Sequence, residues 1–385
     1  MQRTSWGLVL ALWGAGLGAA AQYGKFSAIF DRLPGLYSEA GAALGFIVSI
    51  VGLLGIFFGV AAGLMVARIR YRRALLWALW AGAAISAFQA FLPPLPWMLA
   101  SRALEGLSHL AVVVAAPTLI AQICAPRDRG LALTLWGTFF GVAFTILAWG
   151  GLPLVAWKGV PALLAAHAIY MAAFALLLSA RLKALRLDHP APALSLSRIL
   201  RDHVEIYRSP FISAPAIGWL FYTFCFVSIL TVLPAYIAAD SRAFVMGAMP
   251  LVSIASSMTL GGVMLRHVSA ITVILTGFVG SCLAMGWLWL DAGAPMACLA
   301  LAATMGLIQG ASFAAVPQLN HSPETQAQAN GALAQMGNVG NTLGTPAMAV
   351  TAGTLGYAGL PVLAGCAFVL GGCAHVVLAR RRRTA

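Results

Sequence analysis

The 385 residues are 61% hydrophobic and only 9% charged, with a mean hydropathy of +0.90, against roughly 25% charged residues in an ordinary soluble domain. That composition excludes a soluble fold, and its long unbroken apolar runs exclude a β-barrel, leaving helices that satisfy their own backbone in lipid. The net charge of +13 is not accompanied by a basic face with aromatics or by a recognition motif, so nucleic acid is not the expected partner.

In chain order, apolar segments long enough to cross a bilayer are predicted at residues 6–30, 40–66, 74–92, 98–123, 131–149 and 160–179. After a basic stretch at 181–209 come 211–237, 243–265, 271–290, 296–316, 327–352 and 360–379. The expectation is an all-α membrane protein of twelve spans in two six-helix bundles, divided as residues 1–180, a cytoplasmic linker at 181–209, and 210–385. Arg3, the apolar run and Ala19-Ala20-Ala21 also fit a secretory signal with a small-residue cleavage site. The run continues to Phe30, and removing it would unbalance the halves, which favours an uncleaved first span.

On the first span Gln22 and Lys25 stand three apart, in line with Gly14 and Gly18. A lysine facing a cavity binds a carboxylate or phosphate; one near a helix end snorkels to the headgroups. Both readings stand. On the fourth span Arg102, Glu105 and His109 fall on one narrow arc. Bare charge in hydrocarbon costs at least a few kcal/mol, so each is a functional candidate. The favoured reading gives Glu105 or His109 a titrating role with Arg102 tuning it; the competing one is a self-neutralising ion pair. His167 on the sixth span reads as a packing histidine.

In the linker, Leu196, Ile199, Leu200, Val204 and Tyr207 recur at helical spacing. That fits either a helix on the membrane surface or a tether with incidental periodicity. Gln309 on the tenth span is a substrate candidate, with Ser256 and Ser257 on the eighth as weaker ones. The eleventh carries Gln335, Asn338 and Thr342 on one stripe and Gly337, Gly340 and Gly344 on the other. The glycines allow close helix approach, and the amides contact either substrate or another helix.

With the N-terminus cytoplasmic, most of the 23 basic residues fall on one side: Arg3, Arg68, Arg70, Arg72, Arg73, Arg127, Arg129, the linker set, Arg266 and Arg380 to Arg383. Only Arg32, Lys158 and Arg242 fall opposite. Positive residues stay inside, so both termini are expected in the cytoplasm of a multi-pass protein of the inner (cytoplasmic) membrane.

The halves are also repeats. A shift of 200 aligns Gly106 with Gly306, Pro117 with Pro317, Gly137 with Gly337, Gly159 with Gly359 and Pro161 with Pro361. Six spans per repeat imply parallel halves related about the membrane normal, with a cavity at their interface. Under the same shift Arg102, Glu105 and His109 become Ala302, Met305 and Gln309, so buried charge belongs to the first half alone.

These features together resemble the major facilitator superfamily over nearly the whole chain. The family's signature between the second and third spans is a glycine, an aspartate and several basic residues. Here Gly63, Arg68, Arg72 and Arg73 match as a gating loop, while Ala67 stands at the aspartate position and Arg70 at the second glycine position. Arg102 with Gly106 fits the fourth-span pattern. On the fifth span Gly137 and Gly141 fit the glycine-rich pattern of proton-antiporting drug exporters, but Val142 replaces their proline.

The resemblance implies a transporter of a small organic solute working by alternating access. Lys25, Arg102 and Glu105 leave net positive charge, pointing to an anion with a proton as partner. Arg102, Glu105 and His109 are the expected coupling residues, and Gln22, Lys25, Gln309, Gln335 and Asn338 the expected substrate contacts. A proton symporter acting as a monomer in the lipid bilayer is expected, with no cofactor. The six cysteines lack metal-ligand spacing, and no nucleophile elbow or phosphate-cradling loop is present, so neither a metal centre nor an enzyme is expected. The alternatives are an efflux transporter of the same fold and a non-transporting membrane scaffold or sensor.

Overall fold

The computed structural model describes residues 4–183 and 203–384, with the side-chain surroundings of 60–65, 67 and 323 outside the described part. Every regular element in the described residues is helical. Among the described residues nine helical stretches are long and apolar enough to cross a membrane, and the last of these, Glu324–Thr384, contains two helices. Trp6–Ala28 and Tyr71–Gln89 are also of spanning length but carry polar or basic side chains toward one end.

The spans in order are Trp6–Ala28, 41–69, Tyr71–Gln89, Leu95–Ile123, Pro126–Lys158 and Val160–Arg181. The second set is Ser213–Tyr236, Ala239–Met264, Ala270–Leu290, Pro295–Leu319, Pro323–Leu355 and Gly359–Thr384. The all-helical, twelve-span membrane fold is therefore as expected. Leu196, Ile199 and Leu200 of the linker lie outside the described residues.

The fifth span runs further than the apolar count at 131–149. It is built of short helices and a π turn at Leu147–Gly151, and it continues to Lys158. Gly159 ends it at φ 81°, a conformation that costs glycine nothing and a side chain much. Pro161 then opens the sixth span in its first turn, where a missing N–H is harmless.

The chain forms two compact units, Met1–Glu39 with Ala61–Leu194, and Ala40–Val60 with Ser195–Ala385. In the first, the opening helix packs on the fourth, fifth and sixth spans, and the third packs on the fourth and sixth. Its apolar core gathers Leu12, Leu75, Leu79, Val112, Leu119 and Met171.

In the second unit the eleventh span lies along the seventh. Gly337, Gly340 and Gly344 meet Trp219, Leu220 with Thr223, and Phe224, so the glycine stripe lets backbone rest on backbone. Segment 40–60 belongs to this unit for the same reason. Gly45, Gly55 and Gly59 sit directly on Pro346, Asn338 and Gln335 of the eleventh span.

Candidate functional site

A polar cluster fills the middle of the first unit. The first span supplies Gln22 and Lys25 at the end of its Gly/Ala-rich stretch, where small residues allow neighbouring helices close. The third supplies Ser86 and Gln89, the fourth Ser101, Arg102, Glu105, Ser108 and His109, and the sixth His167. Lys25, Arg102 and Glu105 have no solvent exposure at all.

Glu105 is the hub. Its Oε1 receives Lys25 Nζ at 2.6 Å, and its Oε2 receives Gln89 Nε2 at 3.0 Å and the Arg102 guanidinium. Lys25 has three N–H donors and meets three close acceptors: Glu105 Oε1, Ser86 Oγ at 2.7 Å and Gln89 Oε1 at 2.7 Å. Gln89 also donates to Ser101 Oγ at 3.1 Å, whose hydroxyl in turn donates a hydrogen bond to Met98 O at 2.7 Å. The Arg102 guanidinium lies 4.6 Å from the centre of the Phe26 ring, a cation–π contact that is strongest when desolvated.

Pairing offsets the cost of burying these ions only because nearly every donor and acceptor is used. Two cations against one carboxylate leave one unit of positive charge.

His109 stands apart from this hub. Its Nδ1–H donates to Ala19 O at 2.9 Å, and its ring meets Tyr23 edge-on at 5.1 Å. The Tyr23 hydroxyl beside it is buried with no hydrogen-bond partner, as is Gln22 Oε1. Gln22 Nε2 donates to Ser108 Oγ at 2.9 Å. These two unspent oxygens are the open polar positions of the cluster.

His167 does more than pack. Its Nε2 meets Gly18 O at 2.9 Å, and its Nδ1 lies 2.7 Å from Ser86 Oγ and 3.4 Å from Lys25 Nζ. Sequence reasoning passed over it, and over Ser86, Gln89, Ser101 and Ser108 as well. One signal was available: Ser86 and Gln89 are polar at i and i+3 in an apolar span, the same spacing as Gln22 and Lys25.

The polar side chains expected to meet solute in the second unit are uncharged. Gln309 Oε1 accepts from Tyr222 at 3.2 Å and Ser253 at 3.4 Å. Gln335 donates to Ile56 O at 2.7 Å and accepts from Tyr207 at 2.7 Å. Asn338 donates to Ala334 O of its own helix at 2.8 Å. The structure thus sets Gln335 and Asn338 against segment 40–60 and leaves Gln309 with the seventh and eighth spans. Ser256 Oγ and Thr342 Oγ1 are buried without partners.

In the second loop Arg68 and Arg73 are exposed and Arg72 is half-buried, while the surroundings of Gly63 and Ala67 lie outside the described residues. Arg70 adopts φ 75°, where L side chains are disfavoured. The backbone thus keeps a glycine-type turn at the position where the resemblance places glycine. Among the described residues no group of three or more metal-ligating side chains gathers.

No curated protein matches the chain in sequence. Among solved structures, a bacterial homolog to the human lysosomal transporter Spinster, inward-facing and unoccupied, superposes with a TM-score of 0.78 at 13% identity, covering 97% of this chain and 96% of that one. The same homolog in an inward-facing, occupied conformation gives 0.76 at 14% identity, with coverage of 97% and 96%. At such identities the likeness is one of fold. A family model, Major Facilitator Superfamily, matches residues 8–345. A helical fold that crosses the membrane many times and a family match over most of its length lead to one conclusion: this chain belongs to the Major Facilitator Superfamily, and it is a membrane transport protein rather than an enzyme.

Proposed function

We propose that the protein carries a small organic solute, preferentially an anion, across the cytoplasmic membrane by alternating access, with a proton as coupling ion. The observation that carries this reading is the Glu105 carboxylate held between Lys25 and Arg102 with no exposure. A proton arriving on Glu105 removes the one negative charge and leaves two cations in a medium of low dielectric, where an anion is strongly favoured. Proton and anion then stabilise each other's binding, which is the thermodynamic content of symport.

Arg102 and Glu105 are assigned the charge-coupling role, with His109 fixing the adjoining Tyr23. Gln22, whose Oε1 is unspent, and Lys25 are assigned to the solute on the first-unit side. Gln309, Asn338 and Gln335 are assigned to it on the second. The loop residues Gly63, Arg68, Arg72 and Arg73 are assigned a gating role. The clustering of basic residues supports cytoplasmic termini. The protein works as a monomer in this reading.

The test has two stages. Thermal stabilisation of the purified protein is measured against a panel of anionic, neutral and cationic metabolites, since a ligand stabilises the state it binds. The best ligand is then supplied to proteoliposomes with and without an inward proton gradient. Gradient-driven accumulation that Glu105→Gln abolishes is the expected result. Uptake indifferent to the gradient refutes the coupling, and a Glu105→Gln variant with full proton-driven uptake refutes that residue's role.

A further inference from the structure

Resting on that reading, we propose that His167 is a second proton-accepting residue of the coupling site, reached from Lys25 through the hydroxyl of Ser86. The hydrogen bonds fix the direction. Gly18 O can only accept, so His167 Nε2 carries the hydrogen in the 2.9 Å contact, and Nδ1 is the lone-pair nitrogen of a neutral ring. Ser86 Oγ, 2.7 Å from that nitrogen, must therefore donate to it.

The same hydroxyl accepts from Lys25 Nζ at 2.7 Å. Lys25, Ser86 and His167 thus form one directed chain from the first span through the third to the sixth. Every member is buried, so no bulk water is needed along it.

The step balances. The Lys25 N–H bond breaks as Ser86 Oγ takes that proton, and the Ser86 O–H bond breaks as His167 Nδ1 takes the other. Lys25 is left as a neutral amine, His167 becomes an imidazolium, and the net charge of the cluster is unchanged. Ser86 is already placed for the aftermath, because its hydroxyl also lies 3.4 Å from Glu105 Oε1. When Nδ1 is protonated the Ser86 hydrogen has that carboxylate oxygen to turn to.

The charged groups facing His167 are Lys25 from the first span and Arg102 and Glu105 from the fourth. The third span offers only Ser86 and Gln89. While Lys25 holds its proton on Glu105, a second cation at His167 is opposed by Lys25 and Arg102. A proton arriving on Glu105 cancels the carboxylate charge that keeps the proton on Lys25. His167 on the sixth span is then the base at the end of the chain.

The measurement is solid-state nitrogen NMR of the full-length protein in lipid bilayers with labelled histidines, the His167 signals being identified by their loss in His167→Gln. At pH 7 the wild type is expected to show Nδ1 unprotonated and Nε2 protonated. In Lys25→Met, which removes the ammonium that lies 3.4 Å from Nδ1 and opposes a cation there, both nitrogens are expected to be protonated at pH 7. An Nδ1–H tautomer in the wild type overturns the proposal without any substitution in the cluster. So does an imidazole in a folded Lys25→Met protein that stays neutral from pH 8 down to pH 5. Neither readout depends on transport, so a failure here leaves the transport reading standing, and a failure of uptake leaves this one measurable.

Discussion

The fourth and tenth spans hold the same place in the two repeats, yet their polar groups are satisfied in different ways. On the fourth, Glu105 is bonded to Lys25 of the first span and Gln89 of the third as well as to Arg102 of its own helix. On the tenth, Ser312 and Thr304 return their hydroxyls to carbonyls of their own helix. Thr304 also meets Ser281, and Gln309 touches two neighbours. An ion in lipid needs an opposite ion and several donors, which one helix rarely supplies, so charge ties helices together. A hydroxyl is content with the carbonyl four residues back, leaving the helix surface dry. The second unit gains its close packing through glycine instead.

The sharpest way to break this comparison is to unbalance the charge. Glu105→Gln leaves two buried cations without a counter-ion and is expected to destabilise the protein by about 3–5 kcal/mol, read as a lowered unfolding temperature in detergent. Adding Lys25→Met to that variant is expected to restore part of the loss. A double variant as unstable as the sum of its parts would mean that the ions are not coupled.

Next in size is the glycine seam. Gly340→Val forces a side chain onto Leu220 and Phe224 backbone atoms and is expected to cost about 1–3 kcal/mol. Gly353→Ala on the same helix meets nothing within 4 Å and is expected to be neutral or slightly stabilising. Equal effects at the two positions would show that helix propensity, not packing, governs this helix.

A single neutral hydrogen bond should matter less. Tyr207→Phe removes the donor to Gln335 and is expected to cost about 0.5–1.5 kcal/mol in the same unfolding measurement. The smallest effect has the opposite sign. Arg70→Gly relieves a side chain held at φ 75° and is expected to stabilise by about 1 kcal/mol, with a drop in unfolding temperature arguing that Arg70 makes a contact worth more than its strain.

The repeat itself shows how far a sequence match carries. Pro117 and Pro317 both sit inside long helices, so that correspondence extends to structure. Gly159 and Gly359 align equally well, but Gly159 is needed for its positive φ and Gly359 for a close approach to Thr351. The same residue type serves two different ends. The candidate site was legible where it was charged: Arg102, Glu105 and Lys25 stand out in hydrocarbon whatever surrounds them. Ser86, Gln89 and His167 did not stand out, because a lone hydroxyl, amide or imidazole in an apolar span is ordinary until a cation is seen beside it. His109 was grouped with Glu105 by helical spacing, yet across the helix it bonds to a backbone carbonyl of the first span.

Hydropathy, charge placement and the 200-residue offset determined by themselves that this is a helical membrane protein of twelve spans in two related sets. Lipid leaves a chain of this composition no other way to satisfy its backbone. Partnership between helices was decided only by the tertiary structure. Glu105 could have neutralised Arg102 three residues away and nothing else; it is the packing of the first and third spans on both the fourth and the sixth that gathers Lys25, Ser86, Gln89 and His167 into one hydrogen-bonded cluster with it. Spacing along one helix fixes which side chains share a face, while what that face meets depends on contacts far apart in sequence.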